Sequence, residues 1–227
     1  MAVKTQPADL SLATDLRYIV VEGPIGVGKT SLARRLAESF NSELILENAE
    51  DNPFLERFYR NRRNAALPTQ LFFLFQRARQ VEEIRQSDLF APVRVADFMM
   101  DKDRLFAEIN LDSNELSLYQ QVYDSLDLDP PTPDLVIYLQ APPSVLRRRV
   151  ASRGIAYEQH LDEEYLERLG NAYAKFFYDF DAAPLLIVNA ANIDPIHREA
   201  DYQELLRAIR RMKHGRQFFN PALETIA

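Results

Sequence analysis

The 227-residue sequence contains no cysteine. This absence excludes a disulfide framework and a cysteine-ligated metal site, and it is compatible with a reducing cytoplasm. Long apolar runs are also missing, since the longest, such as Leu-Phe-Phe-Leu-Phe at 71–75, are far too short to cross a bilayer. We therefore expect a cytoplasmic protein without a membrane partner.

Basic residues are in deficit, with 27 Lys and Arg against 34 Asp and Glu and a formal net charge of −7. Because nucleic-acid binders carry a basic footprint, this charge argues against nucleic acid as a partner. Residues 1–16 have no continuous apolar stretch, so we predict a flexible tail there rather than a signal peptide. No linker or repeat divides residues 17–227, which we predict to form one domain.

The most specific motif is at Gly23–Thr30, where Gly-Pro-Ile-Gly-Val-Gly-Lys-Thr fits the phosphate-loop pattern G-x-x-x-x-G-K-[ST]. It follows an apolar run at 18–21 and opens a helical pattern at 29–40. A strand, a glycine turn and a helix in this order point successive backbone N–H groups at one phosphate. A glycine-rich loop that binds nothing is the alternative, which this context disfavours.

Each position of the phosphate loop has a predicted role. The glycines let the backbone approach a phosphate, Lys29 reaches the β and γ oxygens, and the Thr30 hydroxyl ligates Mg²⁺. The predicted cofactors are therefore Mg²⁺ and ATP or another nucleoside triphosphate. The predicted nucleotide-binding residues are Gly23, Pro24, Ile25, Gly26, Val27, Gly28, Lys29, Thr30 and Ser31.

Short β-rich runs recur along the chain, with enough sequence between them for helical crossovers. This alternation predicts an α/β fold in which a five-stranded parallel sheet has helices on both faces. The predicted strands lie at 18–21, 44–46, 93–96, 135–139 and 185–188. The predicted helices lie at 29–40, 53–63, 69–86, 102–109, 113–126, 142–153, 161–178 and 199–213. Ligands of such sheets bind beyond the carboxyl ends of the strands, so functional residues are expected directly after strands.

Two acidic residues follow predicted strands. Glu47 comes after the second strand, where its carboxylate could accept a proton from an attacking hydroxyl or could merely cap the next segment in solvent. Asp97 ends the third strand and could hold Mg²⁺ directly or through water, with a plain surface turn as the alternative. Position alone leaves both questions open.

The helix predicted at 69–86 places Gln70, Phe73 and Arg77 on one side. A glutamine amide can pair with the edge of a nucleobase, and an aromatic ring can stack on the base. An ordinary amphipathic helix with its polar ends in water is the alternative.

A basic cluster lies directly before Gly154 and consists of Arg147, Arg148, Arg149 and Arg153. Arginines beside a glycine hinge suit a lid that closes over transferring phosphates. A solvated helix face, favoured by the dipole at the helix C-terminus, would give the same pattern.

Taken in order, these residues resemble the deoxyribonucleoside kinase family, including its bacterial deoxyadenosine and deoxyguanosine kinases. The resemblance covers nearly the whole chain after the tail. Its most specific segments are the phosphate loop, Glu47 with 52–59, Gln70 with Arg77, and 149–154 with Glu158. It implies a P-loop kinase fold with an arginine-rich lid, a small deoxynucleoside substrate and a homodimer.

The resemblance also implies residue roles at the nucleoside. Glu47 is the general base on the nucleoside 5′-hydroxyl, Tyr59 and Glu158 hold the sugar 3′-hydroxyl, and Gln70 reads the base. The lid residues Arg149 and Arg153 neutralise charge on the transferring phosphoryl group.

Three further residues enter through the resemblance. Asp97 matches the acid of a Glu/Asp-Arg-Ser segment of the family. Asp103 and Phe106 would contact the base edge and stack on the base if the alignment slips by one position between them. An aspartate paired with Arg77 suits a base with an exocyclic amino group, so deoxyadenosine or deoxyguanosine is the expected substrate.

Two departures from the family pattern remove a positive charge near the phosphates. Phe98 stands where the family has arginine, and Ile155 replaces the second arginine of the Arg-Gly-Arg lid. Either Lys102, Arg147 or Arg148 compensates, or turnover is slow.

Other functions stay open at this point. A nucleoside monophosphate kinase of the thymidylate type shares the loop and the lid, but the arginines between Tyr59 and Gln70 place no convincing contact for an acceptor phosphate. A kinase-like subunit that binds nucleotide without turnover is kept open by Phe98 and Ile155. A regulatory GTPase is disfavoured, because the guanine-reading segment Asn-Lys-x-Asp is missing.

Overall fold

The computed structural model describes residues 16–85 and 93–220. Of the tail predicted at 1–16, only Leu16 is among the described residues. Residue 86 of the third predicted helix and residues 221–227 also lie outside the described residues. The described residues form six strands: β1 Tyr18–Glu22, β2 Glu43–Ile45, β3 Arg94–Ala96, β4 Leu135–Gln140, β5 Leu185–Asn189 and β6 Arg216–Phe219. They also form eight α-helices: α1 Lys29–Phe40, α2 Leu55–Arg60, α3 Ala66–Arg85, α4 Asp101–Asn110, α5 Ser113–Ser125, α6 Pro143–Arg153, α7 Glu163–Asp179 and α8 Glu199–Arg211.

The strands form one parallel sheet in the order β2-β3-β1-β4-β5-β6. The α/β parallel sheet is confirmed, but it has six strands and the predicted number of five is wrong. The strand that the sequence does not reveal is β6, which has four residues at the sheet edge, three of them exposed. A short edge strand lacks the continuous apolar run by which the buried strands are recognised.

Helices cover both faces of the sheet, as the apolar strands require. On β4, Val136 and Tyr138 pack with residues of α3, α4 and α7, whereas Leu135, Ile137 and Leu139 pack with residues of α1 and α8. Alternating side chains of one strand thus enter two separate cores, which is why this strand is apolar at nearly every position. Within the described residues, no helix is both long and apolar enough to span a bilayer.

Two helices have an end that lies three residues from its predicted position, for local reasons. The helix predicted at 53–63 is shorter, because the Asn52 side chain accepts a hydrogen bond from the Phe54 N–H at 3.0 Å and Asn61 leaves the helical conformation. Helix α3 begins earlier than predicted, at Ala66. Pro68 lies in its first turn, where a missing N–H loses no hydrogen bond.

The order of the strands makes β1 the switch point of the sheet, because its neighbours β3 and β4 lie on opposite sides. A crevice opens beyond the carboxyl end of a strand at such a point. The phosphate-loop motif begins one residue after β1 ends, so the fold places the loop at this crevice.

The start of the loop is closely packed, and we expect Gly23→Ala to destabilise the protein by about 3 kcal/mol. Gly23 has φ +147, and a Cβ atom there would lie 2.4 Å from the backbone oxygen of Leu139. The matched control is Gly215→Ala, at φ +72 with open space around the added Cβ. It should cost about 1 kcal/mol from backbone strain alone. Urea unfolding measures both, and equal losses would contradict a steric cost at Gly23.

Candidate active site

The phosphate loop has the strand, turn and helix order expected from its motif. Gly28 is left-handed at φ 107, and α1 begins at the next residue, Lys29. The Lys29 ammonium group folds back over the loop, donating to the carbonyls of Gly23 at 2.7 Å and Pro24 at 3.2 Å. Burial lowers the pKa of Lys29 to about 8, and the nearby ammonium group of Lys102 acts in the same direction. A second positive charge therefore lies close to the loop.

Asp97 connects the loop to the second strand. One of its carboxylate oxygens accepts from the Thr30 hydroxyl at 2.5 Å, and the other accepts from the backbone N–H of Glu47 at 2.8 Å. Asp97 is buried, so the alternative of a plain surface turn is wrong. Hydroxyl and carboxylate oxygens are hard ligands that fit Mg²⁺, which needs few protein ligands when phosphates supply the others. Within 16–85 and 93–220 no larger group of metal-binding side chains occurs.

Glu47 lies between two cations. Its Oε2 accepts from the Lys102 ammonium group at 2.6 Å, and its Oε1 pairs with the guanidinium group of Arg77. Burial alone would raise the pKa of Glu47, but the charges of Arg77 and Lys102 outweigh it and lower the pKa to about 2. The alternative of a solvated or capping acid is therefore wrong, and the side chain is an ionised carboxylate held on both oxygens.

Arg77 also pairs with Asp103, so one guanidinium group joins two acids. Asp103 is fully buried and accepts from the Tyr119 hydroxyl at 2.9 Å, while its backbone oxygen lies 3.4 Å from the Gln70 amide nitrogen. Gln70 and Arg77 are themselves only 3% and 2% exposed. The alternative of an amphipathic helix with its polar ends in water is therefore wrong for α3, whose polar side chains face inward at this place.

A third group consists of two tyrosines and an arginine–glutamate pair. Tyr59 stacks on Tyr157 with ring centroids 5.6 Å apart, and Arg153 lies 3.6 Å from Glu158. The second carboxylate oxygen of Glu158 is buried without a hydrogen-bond partner among the described residues, and burial raises the pKa of this side chain. An orphan acceptor beside a tyrosine is an arrangement that a ligand hydroxyl would complete.

These groups surround one cavity of about 140 Å³. Of the residues predicted to bind substrate, the cavity brings together Glu47, Tyr59, Gln70, Arg77, Asp97, Phe106 and Glu158. Asp103 is absent from the lining and lies behind Arg77. The side chains of Lys29, Thr30 and Arg153 reach the same space.

The arginine cluster divides into two pairs. Arg149 donates to the carbonyls of Val27 at 3.0 Å and Ala190 at 2.7 Å, and Arg153 lines the cavity. Arg147 instead forms an exposed pair with Glu163, and Arg148 is exposed too. Of the three residues suggested to replace the missing positive charges, Lys102 is therefore the one that lines the cavity.

Sequence reasoning missed two parts of this region. A second groove of about 450 Å³ is lined by Val27, Gly28, Ser31, Arg149 and residues 190–198, which follow β5. Glu47 was found because it directly follows a predicted strand. The same search after the fifth strand would have found residues 190–198. After the first predicted strand it would also have found Glu22, the buried last residue of β1.

Comparisons with known proteins agree on one family. The family model described as deoxynucleoside kinase matches residues 19–214. A deoxyguanosine kinase of Bacillus subtilis (strain 168) is 32% identical over 203 residues, which cover 86% of this chain and 97% of that protein. A deoxyguanosine kinase of Lactobacillus johnsonii is 30% identical over 208 residues, covering 86% and 91% respectively.

A solved structure supports the expected fold. The deoxyadenosine kinase from M. mycoides with the products dCMP and dCDP bound superposes with a TM-score of 0.73 at 24% sequence identity. The match covers 86% of this chain and 99% of that chain. The expected P-loop kinase fold is thereby confirmed, and the chain belongs to the deoxynucleoside kinase family.

Proposed function

We propose that this protein transfers the γ-phosphoryl group of ATP to the 5′-hydroxyl of a purine deoxynucleoside. One observation carries the proposal: the two oxygens of Asp97 bind Thr30 of the phosphate loop and the backbone of Glu47. A single carboxylate thus holds the triphosphate cradle and the acid beside each other. Phosphoryl transfer depends mainly on such positioning, because the protein has little covalent chemistry to perform.

Glu47 is the proposed general base. Its low pKa makes it a weak base towards a resting hydroxyl, so in this proposal its first task is to orient the 5′-hydroxyl by accepting its hydrogen bond. The proton then moves late, when bond formation to phosphorus has acidified the hydroxyl. Arg77 and Lys102 keep the carboxylate ionised until that moment.

The phosphates are proposed to bind over the loop amides, where Lys29 exchanges its contacts with Gly23 and Pro24 for phosphate oxygens. Thr30 and Asp97 are the proposed protein ligands of Mg²⁺, which neutralises charge on the phosphates when bound. Arg149 and Arg153 supply further positive charge from the lid side, and Lys102 takes the place of the arginine that the family has at Phe98.

The remaining contacts are proposed to select the nucleoside. The orphan oxygen of Glu158 and the hydroxyl of Tyr59 suit the sugar 3′-hydroxyl. Gln70 and the Arg77–Asp103 pair offer amide, cationic and anionic groups for the edge of the base, with Phe106 as a stacking partner. Matching relatives named for deoxyguanosine and deoxyadenosine support a purine.

Removing the amide from the base site should weaken nucleoside binding selectively. We expect Gln70→Ala to raise the nucleoside KM about tenfold, the effect of losing a buried hydrogen bond to a base, with kcat within about threefold. The matched control is Gln76→Ala on the same helix, because that side chain bonds the backbone of Asn48 and is not among the residues lining the cavity. Initial rates with four deoxynucleosides measure both variants, and an unchanged KM for all of them would exclude Gln70 from base recognition.

The function itself is tested by one panel of acceptors. Four deoxynucleosides, the four ribonucleosides and thymidine monophosphate are offered with ATP and Mg²⁺, and product formation is measured by chromatography. We expect deoxyadenosine or deoxyguanosine to be phosphorylated fastest. Preferred use of the monophosphate would support a thymidylate-type kinase instead, and no ADP release with any acceptor would support a non-catalytic subunit.

We also propose a cytoplasmic homodimer. Phe75 on α3 is 44% exposed and Leu118 on α5 is 48% exposed, and these two helices contact each other. Large apolar side chains on adjoining helices suit an interface between two copies. A mass in solution of twice the 26.2 kDa of one chain is the expected result, and the mass of a single chain would contradict the proposal.

A further inference from the structure

Glu22 is a buried glutamate to which the proposed mechanism gives no role. It ends β1, directly precedes the phosphate loop, and has 0% of its surface exposed. A carboxylate at such a place costs several kcal/mol unless hydrogen bonds and nearby charges replace its lost hydration. Its partners therefore indicate what the side chain holds in place.

Three donors from three parts of the chain converge on Glu22. Its Oε2 accepts from the Gly23 N–H at 2.9 Å and from the Tyr173 hydroxyl at 3.0 Å, and its Oε1 accepts from the Met99 N–H at 3.0 Å. Burial raises the pKa of Tyr173 well above its usual value, so its hydroxyl keeps the proton that it donates. Burial raises the pKa of Glu22, and the charges of Lys102 and Lys29 and the Gly23 N–H oppose that rise. Its two backbone N–H partners can only donate, so both oxygens of Glu22 act as acceptors.

The contact of Oε2 acts on the phosphate loop. The peptide N–H of Gly23 is fixed by Glu22, and the carbonyl of Gly23 accepts the Lys29 ammonium group at 2.7 Å. The neighbourhood of this glycine is close-packed, since an added Cβ atom would lie 2.4 Å from the backbone oxygen of Leu139. Glu22 thus fixes the residue whose carbonyl binds Lys29 in this structure, and Lys29 must leave that carbonyl to bind a phosphate.

The contact of Oε1 acts on the acceptor side. Met99 lies just before α4, and its carbonyl accepts from the N–H of Lys102. The Lys102 ammonium group then bonds Glu47 at 2.6 Å. Glu22 therefore anchors the turn that carries a cation onto the proposed base.

We propose that Glu22 is a positioning residue, which sets the spacing between the phosphate loop and the Lys102–Glu47 pair by binding Gly23 and Met99 with its two oxygens. Tyr173 holds the carboxylate in that orientation from α7. The inference rests on the proposed function and adds a residue that touches neither substrate.

Glu22→Gln is the sharpest test, because an amide offers only one accepting oxygen. In either orientation its NH₂ group faces a backbone donor, so the contact with Met99 or the contact with Gly23 is lost. We expect kcat to fall about 10- to 100-fold, as misplacement of reacting groups by about 1 Å does, while both KM values stay within about threefold.

Asp134→Asn is the matched control. Asp134 also accepts two backbone N–H groups, those of Arg17 at 2.7 Å and Tyr18 at 2.8 Å, but at the opposite end of β1. Both N–H groups bind the same oxygen, Oδ2, so the asparagine oxygen can keep both contacts while the negative charge at this end of β1 is removed. This variant should leave kcat unchanged. Equal kcat values for folded Glu22→Gln and wild type would overturn the inference, as would a rise in KM with kcat preserved.

If Glu22→Gln does not fold, Tyr173→Phe provides a second test of the same inference. It removes the hydroxyl and leaves both backbone contacts in place, so we expect a smaller loss of kcat, about 3- to 10-fold. An unchanged kcat in this variant would overturn the inference. Wild-type protein that phosphorylates no deoxynucleoside would overturn the proposed function and the inference together, whereas an active wild type with a fully active Glu22→Gln would overturn the inference alone.

Discussion

Replacing Glu47 by glutamine is expected to lower kcat about 10²- to 10⁴-fold, the range that a general base contributes. The amide keeps the size of the side chain but cannot take the 5′-hydroxyl proton. It also turns an NH₂ group towards either Arg77 or Lys102, which approach the two oxygens of the native carboxylate. Since the proposed nucleoside contacts at Gln70 and Glu158 are untouched, the nucleoside KM should change by less than about fivefold.

The control for this variant lies on the preceding strand. Glu43→Gln removes the same charge from a half-exposed side chain that pairs with Arg94 at 2.8 Å. It should leave kcat unchanged, because this pair lies outside the residues that line the cavity. Steady-state rates with saturating ATP measure both variants. Full activity of Glu47→Gln would remove the residue from the role of base.

Replacing Arg77 by methionine is expected to destabilise the protein by about 3–5 kcal/mol at pH 7, the cost of leaving buried partners without their counter-charge. The Arg77 side chain is 3% exposed, and its two acids, Glu47 and Asp103, are 14% and 0% exposed. Methionine fills much of the volume but leaves the buried Asp103 without its cationic partner and leaves Glu47 with Lys102 alone. Urea unfolding at pH 7 measures the loss.

The loss should shrink as the solution becomes acidic. In the native protein the pKa of Glu47 is lowered from 4.5 to about 2, so its ionisation stabilises the fold above pH 4.5 and this contribution is lost as the pH falls towards 2. Without Arg77 the pKa of Glu47 rises, although Lys102 still opposes the rise, and much of the native contribution is lost. Burial already raises the pKa of Asp103, and losing Arg77 raises it further. Protonation on acidification therefore relieves the variant more than it relieves the native protein.

Unfolding curves at pH 7 and pH 4 therefore separate this explanation from simple loss of packing. A packing defect would cost the same at both values. The matched control is Arg85→Met near the end of the same helix, where the pair with Asp129 spans 3.5 Å in solvent. That change should alter stability by less than about 0.5 kcal/mol. A loss at Arg77 below about 1 kcal/mol, or one that grows on acidification, would contradict the expected electrostatic origin.

Local chemistry explains why the phosphate loop could be placed from the sequence. The glycine positions, the lysine and the helix that follows are neighbours along the chain, so the order of residues contains most of the geometry. The same holds for the apolar strands, whose burial on both faces gives each a continuous apolar run. The edge strand β6 has no such run, and only its pairing with β5 makes it a strand.

Contacts between distant segments decided the chemistry of the cavity. Asp97 is 67 residues from Thr30 and 50 residues from Glu47 along the chain. No local sequence pattern predicts that its carboxylate binds both. The sequence by itself determined the phosphate loop, the parallel sheet and the residue types available at the strand ends, because these follow from periodicity and from short-range backbone geometry. The tertiary structure alone decided that Arg77 joins Glu47 to Asp103, that Lys102 rather than Arg147 or Arg148 enters the cavity, and that Glu22 is buried among three donors. Charges acquire their partners and their pKa values only when packing removes water and brings remote segments within hydrogen-bonding distance.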